Sequence, residues 1–298
     1  MRATSRLADV SINTVTKLLV DAGKACSEYQ DRAMHGLTCK RIQVDEIWAF
    51  CYAKQRNVPE EKKGLGIGDI WTWVAIDADT KLVPSWWVGN RDAENARALL
   101  TDLAGRVANR IQLTSDGWRA YKDAVRDAFL DEIDYAQLVK IYGESPEAKQ
   151  EKRYSPAECI GCERQPLIGN PDKAHISTSF VERQNLTMRM GIRRFTRLTN
   201  AFSKKAENHL HAVSLHFMFY NFCRIHKTLR VTPAMAAGVT EKLWSMGDVV
   251  DVIDAWESAP VAPLPPENPD LVKLRDNAKP WAPQGPSMYS NLRRRNPN

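Results

Sequence analysis

Three acidic residues stand in segments that give a carboxylate little ordinary reason to be there. Asp45 lies within residues 41–50, a run of β-branched and aromatic side chains that predicts a strand. Asp116 ends a second short strand pattern just before Gly117, and Glu182 follows in a helical pattern. An ionised group in an apolar strand is costly unless it is paired or binds a metal, so this placement predicts a site.

The chemistry that suits three such acids is phosphoryl transfer with divalent metal ions. Mg²⁺ and Mn²⁺ prefer carboxylate oxygens, and two ions held roughly 4 Å apart stabilise the attacking and leaving oxygens of an in-line displacement. Three carboxylates from separate elements can hold such a pair and leave coordination positions open for the substrate.

Each acid also has a structural alternative. Asp45 can be an edge-strand residue facing water, Asp116 a turn former before Gly117, and Glu182 the partner of Ser179 in a capping box. Glu46 is adjacent to Asp45 on the opposite face of the predicted strand, and periodicity alone does not decide which acid points inward.

The segments around these acids resemble the acidic motifs of DDE transposases from bacterial insertion sequences, most closely the family named after insertion sequence one. The three motifs are residues 43–48 (QVDEIW), 115–121 (SDGWRAY) and 178–185 (TSFVERQN). Residues 187–205 and 220–229 are similar to that family as well, and the resemblance runs from about residue 5 to residue 233.

The resemblance implies an α/β fold, a ribonuclease-H-like catalytic core with a mixed sheet flanked by helices. In it, Asp45, Asp116 and Glu182 are the catalytic residues and hold two Mg²⁺ or Mn²⁺ ions, and the choice of Asp45 over Glu46 comes from this match. The implied function is that of a transposase. It binds the ends of a mobile element in double-stranded DNA, cleaves phosphodiester bonds, and transfers the 3′ ends to target DNA as a homo-oligomer.

Two other classes of protein remain alternatives. One is a ribonuclease-H-like nuclease without strand transfer, and the other is a non-catalytic DNA-binding protein derived from a transposase. The resemblance also implies that Arg183, Asn185 and Arg189 position backbone phosphates.

The N-terminal residues 5–25 predict two helices with a break at residues 11–13 and an end at Gly23. This helix-turn-helix pattern resembles the DNA-binding segment of the same transposases, with Asn13, Thr14 and Lys17 exposed to read bases. The alternative is an ordinary helical hairpin. A third helix is missing from the pattern, so we expect residues 1–36 to be a truncated unit or to pack against another element.

Residues 37–235 are predicted to form the catalytic domain. Strand patterns cover residues 41–52, 69–77, 82–88, 110–115 and 133–142, and helical patterns cover 92–107 and 118–129. The pattern alone predicts an α/β protein with a mixed sheet, and its order matches a ribonuclease-H-like fold.

Residues 143–176 contain four prolines and are predicted to be an insertion. Cys159, Cys162 and His175 within it make up three of the four ligands that a zinc site needs. The alternative is two free thiols, because a fourth ligand would have to come from a distant residue such as Cys39, Cys51 or His35.

The segment that follows Glu182 carries basic residues without an acid, which predicts a surface that contacts DNA phosphates. An RNA-binding or merely solvated face is the alternative. The predicted DNA contacts here are Arg183, Asn185, Arg189, Arg193, Arg194, Arg197, Lys204 and Lys205.

The composition agrees with a nucleic-acid partner. The chain has 298 residues and a formal net charge of +6, with no apolar run of membrane-spanning length and no signal-peptide pattern. We therefore expect a cytoplasmic, nucleoid-associated protein whose six cysteines are reduced. Residues 236–257 predict a helical extension, and the proline-rich residues 258–298 predict a disordered tail.

Overall fold

The computed structural model describes residues 1–64, 66–143, 158–196 and 200–259. Its centre is a six-stranded sheet in the order β3-β2-β1-β4-β5-β6. The strands are β1 (Arg41–Cys51), β2 (Gly68–Asp77), β3 (Ser85–Gly89), β4 (Gln112–Asp116), β5 (Asp134–Gly143) and β6 (Glu158–Ile168). The helices are α1 (Arg2–Leu7), α2 (Ile12–Ala33), α3 (Ala93–Ala104), α4 (Ala120–Phe129), α5 (Ser179–Gly191), α6 (Ala206–Met218), α7 (Pro233–Ala236) and α8 (Met246–Ser258).

The sheet is mixed, as predicted. β1, β2 and β3 form an antiparallel meander, whereas β4 pairs in parallel with β1 and β5 pairs in parallel with β4. This strand order, with α3 and α4 as crossovers, confirms the predicted fold class. The carboxyl end of β4 lies beside the middle of β1, where open α/β sheets place their ligands.

Two apolar clusters hold the helices on the sheet, and β1 contributes to both because its side chains alternate between faces. Ile42 and Val44 belong to the cluster that contains α2, α3 and α4. Ile47 and Ala49 belong to the cluster that contains α5 and α6. β1 is therefore packed on one face near its start and on the other face toward its end.

The prediction that Gly23 ends the second helix is wrong. Ser11 caps α2 by accepting a hydrogen bond from the Thr14 N–H at 3.0 Å, and the helix then continues to Ala33. Gly23 is a packing position instead, since a Cβ atom there would lie 2.4 Å from the Cβ of His211 on α6. Only the second half of α2 is buried, whereas apolar side chains of the predicted two-helix unit, such as Leu7 and Leu18, are exposed.

The predicted insertion at residues 143–176 is partly wrong. Residues 158–168 form β6, which pairs antiparallel with β5 and extends the sheet. Pro166 is tolerated there because β6 is an edge strand. Residues 144–157 lie outside the described residues, as do residues 260–298 of the predicted tail. The predicted helical extension contains α8, which begins with a capping box of Ser245 and Asp248.

No helix in the described ranges is both long enough and apolar enough to cross a membrane. All six cysteines lie in the described part of the chain and are free, as predicted from the sequence.

Candidate active site

The three predicted acids line one cleft of about 590 Å³. Asp45 lies in the middle of β1, Asp116 is the last residue of β4, and Glu182 lies in the first turn of α5. The rest of the lining consists of Glu46, Gly117, Leu138, Val139, Lys140, Tyr142, Thr178, Asn185, Leu186 and Arg189. The parallel pairing of β1 and β4 brings the first two acids together from residues 71 positions apart in sequence.

The tightest carboxylate cluster consists of Asp45, Glu46 and Asp116. One oxygen of each lies within 4.8 Å of the others, and this is the only such group of three metal-ligating side chains among the residues that the structure describes. Oxygen donors of this kind suit hard divalent cations such as Mg²⁺ and Mn²⁺. The donor set therefore fits a divalent metal, and it includes Glu46, which the family resemblance did not select.

Asp45 has no cationic partner in this cluster. The Asn185 side-chain amide donates a hydrogen bond to its Oδ2 at 2.8 Å. Burial, together with the charges of Glu46, Asp116 and Glu182, raises the pKa of Asp45 to about 7. Neighbouring carboxylates of like charge are unfavourable to one another, and a bound cation would relieve that repulsion.

Glu46 is in the opposite situation. Its side chain is only 2% exposed, its Oε1 accepts from Arg91 Nε at 2.5 Å, and its Oε2 accepts from the Tyr121 hydroxyl at 3.0 Å. The Arg91 guanidinium also reaches within 3.9 Å of Asp116 Oδ2. Burial raises the pKa of Glu46 and Asp116 adds to the effect, whereas Arg91 opposes it. Glu46 is thus held by protein partners on the α3 and α4 side of the sheet.

Glu182 lies in the cleft but outside the tight cluster. Its Oε1 accepts hydrogen bonds from Lys140 Nζ and from the Thr178 hydroxyl, both at 2.6 Å. The capping box predicted as an alternative is absent, because Thr178 precedes the helix and Ser179 is its first residue. With 42% of its side chain exposed, Glu182 has room to reorient toward Asp45 and Asp116.

The predicted DNA-contacting residues divide into exposed and inward-facing ones. Arg194 is half-buried, and its guanidinium donates to the Ser203 hydroxyl at 3.0 Å, while burial lowers its pKa. Arg197 lies outside the described residues. Arg189 and Asn185 line the cleft. The remaining predicted contacts on this side are exposed, namely Arg183, Arg193, Lys204 and Lys205.

On α2, the predicted base-reading residues Asn13, Thr14 and Lys17 are all exposed in the first two turns. Lys17 also lies 3.4 Å from Asp21 one turn further along the helix. These residues are therefore accessible to a partner, although α2 as a whole is far longer than the predicted second helix.

The structure does not bring together the predicted zinc ligands. Cys159 and Cys162 lie on β6 with their sulfur atoms 4.0 Å apart, because a bulge near Ile160 places both on one face. His175 instead contacts Asp172, with Nδ1 2.7 Å from Oδ2. No group of three described residues that could hold a metal contains these side chains. The plain-thiol alternative describes this arrangement better.

Sequence reasoning missed Arg91 and Lys140. Arg91 follows β3 in the short connection to α3, and Lys140 is one of several polar residues near the end of β5. Neither belongs to a motif, and only the tertiary fold brings Arg91 to Asp116 and Lys140 to Glu182. The sequence contains one indication of such residues, which is a basic residue at the end of a strand that neighbours a strand with a predicted acid.

No protein-family model and no curated protein matches this chain. Among solved structures, the chain is similar to one chain of a cryo-EM structure of the simian T-cell lymphotropic virus intasome in complex with the PP2A regulatory subunit B56 gamma. The two are 13% identical with a TM-score of 0.38, and the match covers 79% of this chain. It spans 60% of the length of the intasome chain. The match covers only part of each chain, so the α/β fold class is assigned from the strand order of this chain.

Proposed function

We propose that this protein is a DDE-type DNA transposase that cleaves the ends of a mobile DNA element and joins their 3′ ends to target DNA. The observation that carries this proposal is the convergence of Asp45 and Asp116 from neighbouring parallel strands. They meet in a cleft that Glu182 and Arg189 also line. Carboxylates from separate elements around an open cleft are suited to phosphoryl transfer on an extended polyanion.

In this proposal Asp45 and Asp116 hold the divalent ions, and Glu182 completes the coordination. Two bound Mg²⁺ or Mn²⁺ ions supply charge stabilisation at the attacking and leaving oxygens. Asn185 keeps the Asp45 carboxylate oriented through its 2.8 Å hydrogen bond. For Glu182 to take part, its carboxylate has to give up Lys140, whose ammonium group then lies at the cleft for a phosphate oxygen.

The DNA would be held by two groups of residues. Arg183, Arg193, Lys204 and Lys205 are exposed on and after α5, so they can contact phosphates next to the cleft. Asn13, Thr14 and Lys17 on α2 would distinguish the ends of the element from other DNA. Because two DNA ends have to be joined, the active form would be a homo-oligomer.

The test is strand cleavage on duplex DNA that carries the sequences flanking the gene. Cleavage should occur with Mg²⁺ or Mn²⁺ and not with Ca²⁺. Asp45→Asn and Asp116→Asn should abolish it while DNA affinity stays nearly unchanged. Asp123→Asn, which removes an exposed acid on α4, is the matched control.

Undiminished cleavage in both cleft variants would overturn the proposal. Adding target DNA to the same assay separates the alternatives. A nuclease would release nicked products without joining them, and a non-catalytic DNA-binding protein would give no metal-dependent products at all.

A further inference from the structure

A row of aromatic side chains runs along β1 and away from the carboxylate cluster. On the face of β1 that carries Glu46, the next two side chains are Trp48 and Phe50, with ring centroids 5.7 Å apart. Phe202 continues the row at 4.8 Å from Phe50. Trp71 is the cross-strand partner of Trp48 on β2, so its side chain lies on the same face. We call Trp71, Trp48, Phe50 and Phe202 the aromatic row.

The aromatic row is half-exposed along its whole length. Neighbouring positions Ile47, Ala49 and Cys51 are buried in the apolar cluster on the other face of β1. The helices α3 and α4 cover that first face from Ile42 to Glu46, and Trp71 packs against the edge of their apolar cluster. Four adjoining large rings are thus left partly open to solvent, which is unusual for side chains that bury well.

Basic side chains lie next to the rings at both ends and in the middle of the aromatic row. Arg91 lies 5.3 Å from the Trp71 ring and 5.0 Å from the Trp118 ring, next to Asp116. Lys54 Nζ lies 5.9 Å from the Trp48 ring, and Lys204 Nζ lies 3.7 Å from the Phe202 ring. Asp69 lies opposite Phe50 on β2, and it accepts a hydrogen bond from the Gln55 backbone N–H at 3.0 Å.

We infer that the aromatic row is a binding site for a single strand of nucleic acid, whose bases stack on the rings while its phosphates contact the flanking cations. Aromatic rings that alternate with basic side chains are the composition of such sites, since every base has a face to stack and every nucleotide has a phosphate. A protein partner fits less well, because lysine is depleted from the centres of protein interfaces. A duplex fits less well, because its bases are already stacked on one another.

This inference deepens the proposed function, because the row starts at Trp71, where Arg91 contacts both the ring and Asp116, and so leads a single strand away from the cleavage site. A strand opened at the end of the element would be its natural occupant. The binding itself needs neither the metal nor the catalytic carboxylates. It can therefore be measured in EDTA, where failure of the proposed catalysis has no effect on the result.

The experiment measures the affinity of the full chain for fluorescent oligo(dT), oligo(U) and a duplex of equal length by anisotropy in EDTA. Trp48→Ala and Phe202→Ala should each weaken oligo(dT) binding about tenfold, since stacking on one base is worth about 1–3 kcal/mol and 1.4 kcal/mol is tenfold. Duplex affinity should change less than about twofold. Trp48→Phe should retain most of the affinity because a ring remains.

Phe219→Ala removes a 42% exposed aromatic ring outside the row and is the matched control. Comparison of oligo(dT) with oligo(U) distinguishes a DNA strand from an RNA strand. Wild-type oligo(dT) affinity in both Trp48→Ala and Phe202→Ala would overturn the inference. An equal loss of single-strand and duplex affinity would also overturn it, as would a change of oligomeric state without a change of oligo(dT) affinity. Thermal unfolding of each variant and the behaviour of Trp48→Phe separate lost binding from lost folding.

Discussion

Two neighbouring acids on β1 have opposite environments. Asp45 faces the cleft, where the neutral amide of Asn185 donates a hydrogen bond to it, and its pKa is raised to about 7. Glu46 also lines the cleft, but Arg91 and Tyr121 bind both of its oxygens. Strand alternation alone produces the difference. Of two adjacent carboxylates, the one that lies among other carboxylates and has no cation beside it is the better candidate for a metal ligand.

The same contrast recurs between two neighbouring arginines after α5. Arg193 is exposed, whereas Arg194 is half-buried and donates to Ser203. A basic segment that looks uniform in sequence therefore contains residues with different tasks. Arg193 is accessible to a phosphate. Arg194 instead bonds to Ser203, whose carbonyl accepts a hydrogen bond from the Tyr52 N–H at the end of β1 at 2.7 Å.

The largest expected effect is the difference in cleavage rate between variants of the two acids. Asp45→Asn should lower metal-dependent cleavage by several orders of magnitude because it removes a proposed metal ligand. Glu46→Gln should lower it only about 10- to 100-fold, since Glu46 acts through Arg91 on Asp116. Single-turnover cleavage with saturating Mn²⁺ measures both. Equal losses in the two variants would make Glu46 a metal ligand of the same rank as Asp45.

We expect the free energy of unfolding to fall more in Glu46→Gln than in Asp45→Asn, which is the reverse of the order expected for cleavage. Glu46→Gln should lower the free energy of unfolding by about 1–2 kcal/mol, because Arg91 loses its charged partner. The figure is modest since the Arg91 side chain is 37% exposed to water. Asp45→Asn should leave stability unchanged or raise it, because it removes charge repulsion. Urea unfolding in EDTA at pH 8 compares the two, and a larger loss for Asp45→Asn would break the contrast.

The arginine pair should divide between DNA binding and stability. Arg193→Ala should reduce the slope of log affinity for duplex DNA against log salt by about one unit, because one phosphate contact is lost. Arg194→Ala should leave that slope unchanged and lower the free energy of unfolding by about 1 kcal/mol, since its hydrogen bond to Ser203 is removed. Salt titrations and urea unfolding of both variants test this. A flatter slope in Arg194→Ala would mean that Arg194 also contacts DNA phosphates.

A further effect is expected in the pH dependence of stability without metal. The pKa of Asp45 is raised from 3.8 to about 7 in the folded protein, so between those values the folded state keeps a proton that the unfolded state has released. The contribution of Asp45 to stability therefore falls as pH rises through this window. Asp45→Asn should remove that contribution. The difference between the wild-type and variant unfolding curves in EDTA measures it, and a difference that grows as pH falls toward 4 would contradict it.

Most of the central sheet is predictable from the sequence. β1, β2, β4 and β5 match the predicted strands closely, because β-branched and aromatic side chains mark buried strands. β6 was not predicted, since the four prolines of residues 143–176 indicate a loop and only pairing with β5 makes residues 158–168 an edge strand. Gly23 was misread for a similar reason. A glycine inside a helical pattern looks like a helix end, whereas here it allows α2 and α6 to approach closely.

The candidate site was predictable in part. The sequence selects Asp45, Asp116 and Glu182, and the structure places all three on one cleft. The sequence does not reveal that Lys140 holds Glu182 away from the other two acids. Nor does it reveal Arg91, because that residue reaches Glu46 and Asp116 through a connection between elements that no motif covers.

The sequence by itself determined an α/β class with a mixed sheet and the basic character of the segment after Glu182, because both follow from local residue types and their spacing. The choice of the three acids came from the family resemblance. Only the tertiary structure decided which of two adjacent like charges is paired and which is left for a ligand. That choice depends on strand pairing and on side chains far away in sequence, such as Arg91 for Glu46 and Ser203 for Arg194. Burial and charge compensation act in three dimensions, and residue order specifies them only through the complete fold.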